Sequence, residues 1–480
     1  STKGIVFLEF KEKMAIFSLL VLMELPFSYV LKFIMKTMLE DKNDNEKYYA
    51  PIISDILNYS NKNKLVLYNG YDDEYKEVVD IINNYYFMKN DIINNNKYIK
   101  GSKKIAFIVD SMFDINYSVE KLTFDMVRNI KKYSPEYDIK IYVENNYNYT
   151  PEEKILLHSF IGDTKLGSEY FYEEHLKQIE GMGIEICYSM PQKDKEYRVK
   201  DMICSIFDYN PEIILTTTLC SYSINELYNY YPTVYLSMVT YNNVNKFDVQ
   251  LYPHIEEIQK YFKERGKTFE EGIYAFEYGA DFTEEEEVIY EREKFGMEKD
   301  DIILITVGVR VKVEITKEFA DMIVKKLEKN EKIKWYIVGE VDIPAIDNNY
   351  KELLEKQIFK LGFEKNLGAF YKLCNIYINP PRSGGGFSIA QSIVNGIPVV
   401  SYLSSAAGKH YAGEESCKKD ENEYIEDIEK LISDREYYCK KIESQRNNLK
   451  KYEYKGVIEK LILFMNEAQE RYLKRKGINM

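Results

Sequence analysis

One alternation of strand-like and helix-like segments occurs twice in this 480-residue chain, and it limits the fold more than any other feature. In the first run, "KIAFIVD" (104–110) is a short β-branched stretch followed by the helical pattern "VEKLTFDMVRNIKKY". "YDIKIYVE", "GIEICYSM", "PEIILTTTL" and "PTVYLSMVT" then follow as buried-strand candidates, mostly separated by helix-length segments. The pattern restarts after the bridge "IYAFEYGADFTEEEEVIYEREKFGMEKD". There the strands "DIILITVGVR" and "IKWYIVGE" flank the helix "TKEFADMIVKKLEKN". "YKELLEKQIFKLGF", "NLGAFYKLCNIYINP", a glycine run with its helix, and "IPVVSY" complete it. Such alternation predicts parallel, doubly wound α/β sheets. Ligands of these sheets bind beyond the carboxyl ends of the strands, and Arg310, Glu340, Phe363 and Arg382 fall at those ends.

The length carries more than one core. The expected organisation is a helical extension over 1–100, closing in the Asn-rich linker "KNDIINNNKYIKGSKK". A Rossmann-like domain over 101–270 follows, then a second over 271–450 and a C-terminal helix over 451–480. The Lys- and Glu-rich helical stretches from about Glu421 are expected to show a solvated face.

A net charge of −13 argues against a nucleic-acid partner or general attraction to anionic lipid. Cys187, Cys204, Cys220, Cys374, Cys417 and Cys439 form no CxxC pair, which reads as reduced thiols in a cytoplasm. His158, His175, His254 and His410 are scattered, so metal-independent chemistry is expected, with no cofactor. "MAIFSLLVLMELPFSYVLKFIM" (14–35) breaks its apolar run at Glu24, and Pro26 and Lys32 follow. It is too short and interrupted for a spanning helix. Lys11 and Lys13 precede it, yet no small-residue cleavage site follows as a signal peptide requires. The segment reads as a buried helical hairpin; docking on the inner face of a membrane is the alternative.

The chemistry-bearing stretch is "NPPRSGGGFSIAQSIVNGIPVV" (379–400). Three consecutive glycines are costly in conformational entropy and suit a backbone that must come close to something. In the helix that follows, the i,i+4 pairs Ile389–Ile393 and Ala390–Val394 make a buried stripe. Ser388, Gln391 and Asn395 share a polar face. Gly396 suits the αL position that ends a helix, and Pro398 blocks continuation. A helix starting at such a run offers unpaired N–H groups and its positive dipole end to phosphate oxygens. A tight strand-to-helix turn without ligand uses the same residues, and the glycines alone do not choose. In "TVGVRVK" a second strand ends at Gly308, and Arg310 follows where a bidentate contact can neutralise a pyrophosphate leaving group.

Taken in order, "VGVR", "YIVGE", "KLGFEKNLGAFYKLCNIYINPP" and "SGGGFSIAQSIVNGIPVV" resemble the glycosyltransferases of the two-domain GT-B fold, especially the family 4-type (group 1) branch. "EYGADF" is similar to the hinge of the same proteins. The likeness is close over 274–400 and one of pattern only over 103–239. It implies two Rossmann-like domains facing a central cleft, and transfer of a sugar from a nucleotide diphosphate sugar, UDP-linked by expectation. It also implies donor-binding roles for Gly308, Arg310, Lys312, Glu340, Phe363, Arg382, Ser383, Gly384, Gly385, Gly386, Phe387, Ser388 and Gln391. The nucleotide sugar is then a substrate, and Arg310 has a catalytic role at the departing diphosphate.

Three departures stand out. Ser383 and Gln391 occupy the positions of two family glutamates, and Ile315 that of a family lysine, for which Lys312 or Lys317 would substitute. "VDSMFDINYS" replaces the glycine-rich loop after the first strand. Asp110, ending that strand, is the expected acceptor base, with Asp114 and His254 weaker candidates and His410 a possible cleft residue. The acceptor implied is a glycan, a lipid-linked glycan or a polypeptide in bacterial surface glycan or glycoprotein synthesis. The first hundred residues suit acceptor binding or self-association. The missing glutamates allow a second role, a non-catalytic partner or chaperone of an active transferase, against which Arg310 and the glycine run argue. A sugar-nucleotide epimerase needs carboxylates near the sugar, and Ser383 and Gln391 argue against that.

Overall fold

The structure is a computed structural model. It describes residues 9–22, 27–40, 49, 52, 77–78, 81, 97–109, 118–144, 177, 179–189, 195–218, 221–237, 245–253, 255–264, 271–279, 288–308, 310–339, 341–382 and 386–478. The chain divides into two compact units, Ser1–Glu277 with Ile458–Met480, and Tyr278–Val457.

The first unit is built on seven strands: β1 (Lys104–Val109), β2 (Asp138–Val143), β3 (Glu185–Tyr188), β4 (Ile213–Thr216), β5 (Thr233–Leu236), β6 (Val249–Tyr252) and β7 (Ile273–Ala275). They lie in the order β3-β2-β1-β4-β5-β6-β7, every pair parallel. This is the doubly wound order with one further strand at the edge. β4 and β5 are buried at every position, which explains their near-continuous apolar runs, since parallel sheets are covered on both faces. β6 and β7, of four and three residues, were not foreseen from the sequence.

Two apolar helices, Phe10–Leu22 and Phe27–Glu40, belong to this unit. Phe17 meets Phe33 edge-on with ring centroids 4.8 Å apart. Met14, Phe17, Ile34, Met35 and Met38 share one core with Ala106 and Ile108 of β1 and with Ile206 and Phe207 of the helix Lys195–Tyr209. Burial in this core thus uses the hydrophobicity of Met14, Phe17, Ile34 and Met35. No described helix is long and apolar enough to cross a membrane.

The end of the chain returns to the same unit. In the helix Tyr454–Arg475, Arg475 donates to both oxygens of the buried Asp248 carboxylate, at 2.7 and 3.1 Å. It also donates to the carbonyls of Tyr228 and Tyr231 and stacks on the Tyr228 ring at 3.6 Å. Gln469 donates to Glu212, whose carboxylate also receives the N–H groups of Gly101 and Lys103 at the entry to β1.

The second unit has six parallel strands: β8 (Ile302–Gly308), β9 (Ile333–Gly339), β10 (Ile358–Leu361), β11 (Ile376–Ile378), β12 (Val399–Tyr402) and β13 (Cys417–Lys418). Their order, β10-β9-β8-β11-β12-β13, is the dinucleotide-binding arrangement. The helix Lys317–Leu327 starts at Thr316, whose hydroxyl accepts the Phe319 N–H, and presents Phe319, Ile323 and Leu327 to the core around Trp335. Trp335 donates to Thr306, which donates to the Ile378 carbonyl, tying β9, β8 and β11 together.

The charged tail shows the expected solvated face at Glu423, Glu426, Glu429, Lys430, Glu436 and Lys440, with one buried exception. Asp427 and Lys441 are buried and paired with each other; Asp427 also takes the Tyr437 hydroxyl at 2.6 Å and lies 3.4 Å from Lys418. These charges face inward because the helices Glu421–Ser433 and Arg435–Leu449 pack together there.

Candidate functional site

In the second sheet the strand order reverses between β8 and β11, so the chain leaves their carboxyl ends in opposite directions and opens a crevice. From β8 it passes Gly308 to Arg310, which caps the short helix Val311–Glu314. From β11 it passes Asn379 and Arg382 and enters the helix Gly386–Val394. That helix buries Ile389, Ala390 and Ile393 and leaves Ser388, Gln391 and Asn395 partly exposed. It ends as its sequence requires, with Gly396 at φ +83 and the Ile397 N–H bonded to the Ser392 carbonyl at 2.9 Å.

Arg382 does not point to solvent. Its side chain is 2% exposed. The guanidinium donates to Asn379 Oδ1 at 2.7 Å, Glu314 Oε2 at 2.9 Å, the Val307 carbonyl at 3.0 Å and the Tyr377 hydroxyl at 2.7 Å. Burial works against its charge, but Tyr377 and Glu314 outweigh that and hold its pKa above the ordinary arginine value. The other oxygen of Glu314 forms an ion pair with Arg310 Nη2 at 2.9 Å. Arg310 is the outward member, its side chain 57% exposed against 11% for Glu314. Two guanidinium groups thus share one carboxylate, and the three side chains together carry one net positive charge.

The glycines answer to the same packing. A Cβ on Gly308 would stand 2.6 Å from Arg382 Nη1. One on Gly386 would stand 2.5 Å from the Tyr411 ring. Asn379 is held in turn, donating to the hydroxyls of Ser401 and Ser405 at 2.9 and 3.0 Å. The Tyr377 and Ser388 hydroxyls lie 2.9 Å apart, and Tyr371 donates to the Ser388 carbonyl, so the helix's first turn is tied to β11.

Of the other expected residues, Lys312 pairs with Asp342, and Phe387 is half-buried. Phe363 stands 64% exposed after β10. His410 lies among aromatic rings, its centroid 4.5 Å from Tyr411 and 4.1 Å from Tyr452. Glu340, Ser383, Gly384, Gly385, Asp110, Asp114 and His254 fall outside the described residues. The sequence reading missed Glu314, Tyr377 and Asn379. The i,i+4 spacing of Arg310 and Glu314 was a usable signal; Tyr377 and Asn379, five and three positions before Arg382 but outside any helix, left none.

By sequence, no family model and no curated protein matches this chain. Solved structures do match its fold. TarM of S. aureus superposes with a TM-score of 0.54 at 10% identity, over 76% of this chain and 99% of that one. Anabaena HepE, solved with UDP and glucose, gives 0.51 at 11% identity over 75% and 99%. Sucrose-phosphate synthase from Thermosynechococcus elongatus gives 0.52 at 10% identity over 76% and 98%. The fold is therefore GT-B, two Rossmann-like units each with a parallel sheet.

Proposed function

We propose that this chain is a glycosyltransferase that takes its sugar from a nucleotide diphosphate. The observation that carries this reading is the exposed Arg310, held by Glu314 where the second sheet reverses its strand order, with a helix starting at Gly386 from the neighbouring strand. Arg310 supplies a fork for the diphosphate as negative charge develops on it, and preorganised charge of this kind is often the largest catalytic contribution. The helix N-terminus adds N–H donors and its dipole. In this proposal the cationic side chain and the dipole do the work a divalent metal does in other transferases. UDP is the nucleotide we expect, because HepE and TarM, which share the fold, were solved with UDP. Asp110, next in sequence after β1, is the proposed acceptor base. The acceptor we propose is a bacterial surface glycan, its lipid-linked precursor or a polypeptide.

Ser383 and Gln391, standing where the resembled family has carboxylates, favour one rival, a non-catalytic partner of an active transferase. Calorimetric titration with UDP, GDP, ADP and CMP separates the two, repeated with Arg310→Ala. The transferase reading expects one nucleotide to bind, and the substitution to weaken it by about 1.5–3 kcal/mol, the worth of a charged hydrogen bond. If none binds to the folded protein, the donor site is not there and the rival leads.

A further inference from the structure

We infer that Arg382 is a positioning residue: it fixes the Glu314 carboxylate, and Glu314 in turn holds Arg310 in the orientation that meets an anionic ligand. The inference rests on the donor-site reading and reassigns Arg382 within it. As a phosphate ligand Arg382 would have to abandon acceptors on four residues, all inside the unit. Those acceptors come from the end of β8, from the helix Val311–Glu314 and from β11 with the residue after it, so one side chain locks together the elements that form the crevice. Glu314 divides its oxygens, one to each arginine. Through Tyr377, Arg382 also reaches Ser388 in the first turn of the helix Gly386–Val394. Gly308 completes the device, because only a residue without Cβ lets the guanidinium lie against the strand end.

This role and a plain electrostatic one make opposite predictions for Glu314→Gln. The substitution removes a negative charge beside an anion site. If Glu314 merely competes for Arg310, UDP and pyrophosphate bind more tightly. If it orients Arg310, both bind more weakly, by roughly ten- to a hundredfold, because the amide offers one acceptor where two guanidinium groups need two. Arg382→Lys keeps the charge without the fork, so it should resemble Arg382→Met in affinity and not rescue it. In an Arg310→Ala background Glu314→Gln should add nothing further.

A nucleotide-free measurement separates this inference from the donor-site reading. Side-chain NMR of Arg310, assigned by its loss in Arg310→Lys, should show slow guanidinium rotation in the wild type and averaged signals in Glu314→Gln and Arg382→Met. If the wild type binds neither UDP nor pyrophosphate, the donor-site reading fails while the NMR comparison still tests the clamp. Tighter binding in Glu314→Gln, rescue by Arg382→Lys, or Arg310 signals unchanged across the variants would overturn the positioning role.

Discussion

Gly308→Ala tests the packing at the end of β8 most directly. The new Cβ would sit 2.6 Å from Arg382 Nη1, a contact roughly 0.8 Å inside ordinary separation. A long side chain at the surface would swing away at little cost. Arg382 has nowhere to go, since each group it would leave is an acceptor within the unit. Overpacking costs about 1–3 kcal/mol, and one lost hydrogen bond to a charged group adds about 1.5–3 kcal/mol. We expect a loss of about 3 kcal/mol, which lowers the melting midpoint of a domain this size by about 6–12 °C. Thermal melting followed by circular dichroism, with urea unfolding in parallel, measures it. The decisive arm is Arg382→Ala. That variant is itself unstable, but adding Gly308→Ala to it should cost less than about 0.5 kcal/mol, because the clashing group has gone. A Gly308→Ala protein that melts with the wild type refutes the reasoning, as does an equal cost in both backgrounds.

Three further outcomes are expected. Arg475→Ala strips the cation from the buried Asp248 and should cost about 3–5 kcal/mol in urea unfolding; Asp248→Asn in the same chain should recover part of it, and no recovery would mean that the carboxylate is not the cause. Burial drives Lys441 down to about 8 against the pull of Asp427. Below that pH both states hold the proton, and between about 8 and the ordinary lysine value near 10.4 the unfolded chain holds one more, so stability rises with pH in that window. From pH 7.5 to 9.5 the wild type should therefore gain on the order of 1–2 kcal/mol relative to Lys441→Met, and parallel pH profiles would dismiss the effect. If Asp110 takes the acceptor's proton, Asp110→Asn should slow sugar transfer by about a hundredfold or more with UDP affinity unchanged; a kcat equal to wild type removes it from the mechanism.

The doubly wound sheets were legible because buried parallel strands write themselves as unbroken β-branched runs, as in "IILITVG" and "IKWYIVG". The end of the helix Gly386–Val394 was legible for a local reason, the αL glycine at Gly396. β10 was hidden inside a stretch rich in Lys, Glu and Leu, where four residues give no period. At the candidate site the sequence showed which residues stand near the strand ends but not which way they face. Arg310 and Arg382 are both arginines just beyond a strand, yet one is outward and one inward. The difference lies in Glu314 and Val307, 68 and 75 positions from Arg382, together with the nearby Tyr377 and Asn379. A side chain's direction after a loop is decided partly by such distant partners, and a single sequence does not pair them.

The return of the chain to its first unit bears on how the protein is made. Residues 278–457 form an uninterrupted unit, whereas the first unit draws on residues from before and after it. Domains usually close in the order they leave the ribosome; here the unit begun first is finished last. Asp248 waits 227 residues for Arg475, and Glu212 waits 257 for Gln469. At translation rates of about 5–20 residues per second, the first wait lasts roughly 10–50 s. Through that interval the second unit can fold to completion while Asp248 and Glu212 of the first lack Arg475 and Gln469. The helix Tyr454–Arg475 is therefore a latch, and a nascent chain stalled before it should be recognised by chaperones through its first unit.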